Sequence, residues 1–148
     1  MPTDTTTDEH EVAKLASQYC WALDTGEYEA LRQVFTTDAY AVLGETECFG
    51  VDAIVERVST ALGHLDASQH LVGSHLVEVE GDTATHRCYL QAQHVLRGTD
   101  GGELWMVAGM YDDRAVRTPD GWRIEHRVLS RIWTDGNPMV AAPDVRPA

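Results

Sequence analysis

Lysine is almost missing from this chain: Lys14 stands alone, and every other basic residue is an arginine. No lysine motif for phosphate binding or Schiff-base chemistry can therefore be built outside the first helix. Positive charge as a whole is short, with 11 Lys plus Arg against 24 Asp plus Glu and a net charge of -13. That sign is wrong for phosphate backbones and anionic lipid, which removes nucleic acid and membrane surfaces from the expected partners. Cysteine is scarce too. Cys20, Cys48 and Cys88 are odd in number, widely spaced and without a CxxC pair, which argues against a disulfide framework and a structural zinc site. They are expected as reduced, buried thiols. Nothing approaches the ~18 consecutive apolar residues of a membrane span. The stretch "MPTDTTTDEH" has neither a basic nor an apolar leader region, so the expectation is a soluble, cytoplasmic protein.

What is present fits one domain, since 148 residues can bury a single sizeable core. Residues 1–7 read as a flexible lead, and Asp8 followed by Glu11 has the form of a capping box that opens a helix. Val12, Leu15, Ala16, Tyr19, Cys20 and Leu23 recur at helical steps, an apolar stripe that predicts an amphipathic helix to about Asp24. Gly26 breaks it, and Tyr28, Leu31, Val34 and Phe35 predict a second short helix. "AYAVLG" predicts a strand, "ETECFG" a turn-rich connection, and "VDAIVERVSTALG" a third, plainly amphipathic helix. From residue 68 onward, turns at "GD", "GTDGG" and "TPDGW" separate four consecutive antiparallel strands. Helices segregated from hairpin-linked strands define an α+β domain whose helices cover one face of a curved sheet. Residues 136–148 are proline-rich and read as a C-terminal tail, which leaves 8–135 as the domain.

In the second of the four strands His86, Cys88, Leu90, Ala92 and His94 alternate with Arg87, Tyr89, Gln91 and Gln93, so the first set should face inward. His86 and His94 are thereby candidates for lining a pocket. The last strand is ambiguous, because Ile124, Val128 and Ile132 alternate with Arg123, Arg127, Leu129 and Arg131. Either a bulge shifts the parity, or both faces are covered, one of them by a second subunit. A homo-oligomer, dimer or trimer, is expected.

Two residues stand out chemically: His70, heading "SQHLVGSHLVEVEGDTA", and Asp24, closing the first helix at the edge of its stripe. A carboxylate that accepts a hydrogen bond from one imidazole nitrogen fixes the tautomer, leaves the other nitrogen as a base and stabilises the imidazolium. An aspartate at a helix C-terminus also stands against the macrodipole, which prefers cations there. Taken alone, a strand histidine is more often a satisfied core residue than a base. His64, His75, His86, His94 and His126 show neither HxH nor HExxH spacing, so no metal site is expected.

"YCWALDTGEYEALRQVFTTDA", "SQHLVGSH" and "VRTPDGWRIEHRV", in this order and at these separations, resemble the SnoaL-like branch of the nuclear-transport-factor-2-like superfamily over roughly residues 8–135. The resemblance implies a cone-shaped α+β barrel, three N-terminal helices packed on a strongly curved, mainly antiparallel sheet with a deep pocket between them. It is strongest to the branch's dehydratases and dehydrochlorinases, which pair a helix aspartate with a strand histidine, and Asp24 and His70 match those positions. Tyr19 matches a site that is tyrosine in bile-acid dehydratases and lysine in hexachlorocyclohexane dehydrochlorinases, and its phenol could donate to a leaving oxygen. Arg127, five residues after Trp122, matches an arginine that assists a departing anion. The histidine motif ends "GSH" instead of the common glycine plus asparagine, and position 19 is not a cation. Loss of water or a proton shift is therefore expected ahead of loss of chloride.

The resulting expectation is a cofactor-independent lyase of dehydratase type. His70, oriented by Asp24, would take a proton next to a carbonyl of a hydrophobic cyclic molecule such as a steroid or polyketide, as in secondary metabolism. Tyr19 or Arg127 would steady the oxyanion or leaving group. His86, Leu90, Tyr111 and Leu129 are the expected pocket walls. An isomerase or cyclase using the same proton transfer, and a non-catalytic binding module, stay open as alternatives.

Overall fold

The computed structural model describes residues 4–142. Helix α1 (Thr5–Thr25) opens on Asp4, whose carboxylate accepts the Thr6 N–H at 3.0 Å, a turn earlier than the capping box predicts. Asp8 serves another purpose. It is buried, and accepts the two terminal nitrogens of Arg117 at 2.9 and 2.8 Å and the Trp122 indole N–H at 3.1 Å. These bonds tie the first turn of α1 to the last hairpin of the chain. The predicted stripe from Val12 to Leu23 is buried, and the helix stops at Gly26, whose φ of 73° suits glycine.

A 3-10 helix, Tyr28–Gln33, takes the place of the second helix. There follow β1 (Phe35–Leu43), β2 (Thr46–Phe49), α2 (Val51–Leu62), β3 (Ala67–Glu80), β4 (Thr83–Val95), β5 (Leu104–Thr118) and β6 (Gly121–Gly136). β2 lies where the sequence predicts only a connection. The strands form one six-stranded sheet in the order β2-β1-β6-β5-β4-β3. β1 runs parallel to β6, and the other neighbours are antiparallel.

This architecture corrects the cone-shaped barrel that the resemblance implied. The fold is α+β with a mixed, open sheet that is neither closed nor strongly curled. β2, only four residues long, and β3 lie at opposite edges and share no ladder. α1 and α2 cover the inner face instead, bringing Leu15, Tyr19, Ile54 and Val58 into one core with Cys88, Leu90, Tyr111 and Ile124 of the strands. Nor do all the helices come first, since α2 follows two strands.

The ambiguous parity of β6 is resolved by bulges. Arg114 pairs with His126 while Ala115 pairs with Ile124, which leaves Glu125 as an extra residue, and a second slip leaves Ile132 extra. Before the first bulge Trp122 and Ile124 face the core; after it the inward set becomes Arg127, Leu129 and Arg131. A bulge thus aims Arg127 into the protein. In β4 the alternation is regular, and Ala84, His86, Cys88, Leu90, Ala92 and His94 are all buried. Part of the segment expected as a C-terminal tail is seated: Pro138–Val140 forms a 3-10 turn, and Val140 packs with Leu96, Trp105 and Val107. Residues 143–148 of that segment lie outside the described residues. Among the described residues no helix is long and apolar enough to cross a membrane. Cys20, Cys48 and Cys88 are free and buried.

Buried beneath the inner face, Arg127 donates Nε and Nη2 to the two oxygens of Asp113 at 2.7 and 2.8 Å, with both side chains 0% exposed. Removing one member strands a buried charge, so Arg127→Met should cost about 3–5 kcal/mol in urea unfolding. The double variant Arg127→Met, Asp113→Leu should recover much of that loss. Equal damage in the double variant would mean that the pair is not acting as a unit.

Candidate active site

Asp24 lies in the last turn of α1, beside the open edge of the sheet formed by β3. The His70 backbone N–H donates to Asp24 Oδ2 at 2.8 Å, the Ser68 hydroxyl to Oδ1 at 3.0 Å, and His70 Nδ1 to Oδ1 at 2.6 Å. A carboxylate only accepts, so the short ring contact requires the proton on Nδ1 and leaves Nε2 without one while the imidazole is neutral. Nε2 has no hydrogen-bond partner among the described residues. Burial pushes the Asp24 carboxyl up, but the His70 ring, the His70 backbone N–H and Ser68 outweigh it and hold the pKa below the usual aspartate range.

His70 lines a cavity of about 350 Å³ enclosed by α1, α2, the inner face of the sheet and the C-terminal segment around Ala141. Cross-strand register explains part of this wall, because His70, Ala92 and Val107 stand in one row on the inner face. Leu90, Tyr111 and Leu129, the predicted walls, also line it. Tyr19 joins them from α1, one helical face with Leu23. Its ring meets Phe35 and Tyr111 edge-on at 5.9 and 5.7 Å, and desolvation raises the phenol to about 12, against a lowering by Arg127. Tyr19 is therefore a protonated donor at the cavity wall.

Arg127 and His86, both singled out in the sequence, are not among the cavity's lining residues. The Arg127 guanidinium lies beneath the wall, 4.5 Å from the Tyr19 ring centroid and 4.0 Å from that of Tyr111. Burial opposes its charge, and Asp113 outweighs burial and keeps it protonated. One of its nitrogens, Nη1, is buried without a partner. His86 is bound on both sides, by Asp113 Oδ2 to Nδ1 and by His75 Nδ1 to Nε2, each at 2.9 Å. The ligand atoms of His75, His86 and Cys88 lie within 4.8 Å of one another and could hold a metal ion. Such an ion would have to displace the hydrogen bond between the two rings, and burial pushes the Cys88 thiol up to about 11, against metal ligation.

Sequence reasoning missed three of the cavity's polar groups. Arg57 of α2 and Arg131 of β6 line it, as does Trp105. Arg57 sits on a helix that reads as plainly amphipathic, and Arg131 turns inward only because of the bulge at Glu125. His94, expected at the wall, is there: its ring centroid is 6.0 Å from that of His70, and its Nδ1 donates to the Trp105 carbonyl at 3.0 Å. Burial lowers its pKa, so it stays neutral.

The α+β fold thus sets a carboxylate-anchored histidine at the wall of a largely apolar cavity. The chain belongs to the SnoaL-like domain family, whose pattern it matches over residues 4–128. It is 36% identical over 130 residues to an uncharacterized protein of Mycobacterium tuberculosis, covering 85% of this chain and 86% of that one. It is 27% identical to the terrestric acid biosynthesis cluster protein E of Penicillium crustosum, covering 78% of each. The crystal structure of the Kfla4162 protein from Kribbella flavida superposes with a TM-score of 0.87 at 28% identity, covering 94% of this chain and 99% of that one. A hexachlorocyclohexane dehydrochlorinase shares the fold, with a TM-score of 0.79 at 14% identity and 90% of each chain covered.

The folded pKa of Asp24 lies below its unfolded value, so its contribution to stability is complete above about pH 4 and is lost as pH falls through the folded value. Asp24→Asn should accordingly lower the urea midpoint at pH 7, and the gap to the wild type should shrink as pH falls below about 4. A difference between the two proteins that persists undiminished at low pH would contradict the assignment of those hydrogen bonds to the ionised carboxylate.

Proposed function

We propose that the protein is a cofactor-independent lyase of dehydratase type acting on a hydrophobic cyclic small molecule. The observation that carries this reading is the 2.6 Å contact between Asp24 and His70 Nδ1, on a histidine whose ring lines an apolar cavity. His70 Nε2 takes a proton from carbon next to a carbonyl, and the Asp24 carboxylate stabilises the imidazolium that forms. The electron pair moves onto the carbonyl oxygen and returns to expel a β-hydroxyl. The Tyr19 phenol donates to the developing oxyanion or to the departing oxygen. Arg127 does not touch substrate; its charge under the Tyr19 ring makes the phenol a better donor. Leu90, Tyr111 and Leu129 grip the ring system, and His86 holds Asp113 in place.

The cavity's size supports a compact ligand, since sites for small molecules span about 300–1,000 Å³. The Penicillium relative, named for a biosynthesis cluster, supports a natural-product substrate. Exposed Leu71 and Trp133, which share a row on the outer face of the sheet, and Tyr89 nearby support a homo-oligomer.

Incubation of cyclic hydroxyketones and enones with the protein in heavy water tests the chemistry directly. Deuterium should enter activated C–H positions, and His70→Ala should slow that entry by ~10²-fold or more. Binding without exchange across the series would overturn the proposal and leave a ligand-binding module.

A further inference from the structure

The distribution of charge around the cavity is the reverse of that of the chain. Acidic residues outnumber basic ones 24 to 11 overall, yet among the described residues no aspartate or glutamate lines the cavity, while Arg57 and Arg131 do. Elsewhere most of the described arginines find carboxylates: Arg32, Arg87, Arg114, Arg117 and Arg127 each form an ion pair, while Arg97 and Arg123 do not. Neither cavity arginine has a carboxylate partner among the described residues.

Arg57 Nε is buried with no acceptor at all, a condition that buried polar groups rarely show. The Arg131 guanidinium lies 5.3 Å from the Trp105 ring centroid, and a Cβ at Gly44 would come within 3.6 Å of its Nη2. Trp105 and Gly44 both line the cavity, so Arg131, though exposed, lies beside two of its walls. Its charge is felt at His94, whose protonation it disfavours alongside burial. Among the described residues, no carboxylate of the lining competes with an anion for the arginines.

We propose that the ligand of this cavity is an anion: a ring compound bearing a carboxylate, or an equally acidic enol, which Arg57 and Arg131 bind while the apolar walls take the ring. This rests on the cavity being the substrate site, as proposed above, and adds the substrate's charge. Guanidinium groups donate in a planar fork that fits a carboxylate, and desolvation strengthens the contact most at Arg57, the half-buried one of the two. Binding neutralises charge that no carboxylate of the described residues pairs. The acidic exterior does not attract such a ligand, so recognition is local, at these two side chains.

The probes are benzoate, 1-naphthoate and 2-naphthoate, each against its neutral primary amide, titrated into the whole chain by calorimetry at low salt. At least one carboxylate should bind ten-fold or more tighter than its amide, and 0.5 M NaCl should narrow the gap. Arg57→Gln and Arg131→Gln should each reduce the preference, the double variant should abolish it, and the lysine variants should retain part of it. Should Arg57→Gln fail to fold, Arg131→Gln and the salt dependence still decide. Equal affinity for acid and amide, a preference unchanged in the glutamine variants, or no carboxylate binding at millimolar concentration would each overturn the proposal. His70→Ala should keep the preference while losing deuterium exchange, so failure of the anion site and failure of the lyase chemistry read out separately.

Discussion

The Asp24 carboxylate sits where the α1 macrodipole disfavours it and is kept there by three donors from β3. That exchange does two things at once. It pins the end of the first helix to the open edge of the sheet, and it satisfies an edge N–H that would otherwise be available to another strand. It also sets the histidine tautomer. The same hydrogen bonds that anchor the fold therefore leave one imidazole nitrogen bare beside the cavity, and structure and candidate chemistry cannot be separated at this point.

A second constraint lies under the cavity wall. The bulge at Glu125 turns Arg127 inward, where Asp113 neutralises it and His86 holds Asp113 from the other side. Buried ion pairs of this kind add little stability over an apolar pair of the same shape, but they fix geometry. Here the geometry fixed is a guanidinium against the Tyr19 and Tyr111 rings. The cavity is thus bounded by an acid-anchored histidine, a cation-backed phenol and two arginines without acidic partners among the described residues.

Much of the fold was legible because its periodicities are clean. The stripe of α1 and the alternation of β4 predict the buried faces that the structure shows. Legibility failed where local rules were overridden. The short strand β2 is only four residues set between Gly44 and Gly50, and is ordered by pairing with β1. The parity of β6 depends on extra residues that no alternation rule can locate. Barrel closure was inferred from likeness, and depends on whether two edge strands meet, a long-range fact. At the site, Asp24 and His70 are 46 residues apart, so spacing could not join them; the quoted motifs did. Arg57 escaped notice because an arginine on an amphipathic helix ordinarily faces water.

The central claim is that Asp24 holds His70 as a base with a bare nitrogen toward the cavity. Nitrogen-15 NMR of histidine-labelled protein, with His70 assigned by substitution, tests it most directly. Neutral His70 should be a single tautomer with the proton on Nδ1 and an unprotonated Nε2, and Asp24→Asn should mix the two tautomers. A proton on Nε2 in the wild type, or tautomers already mixed, would contradict it.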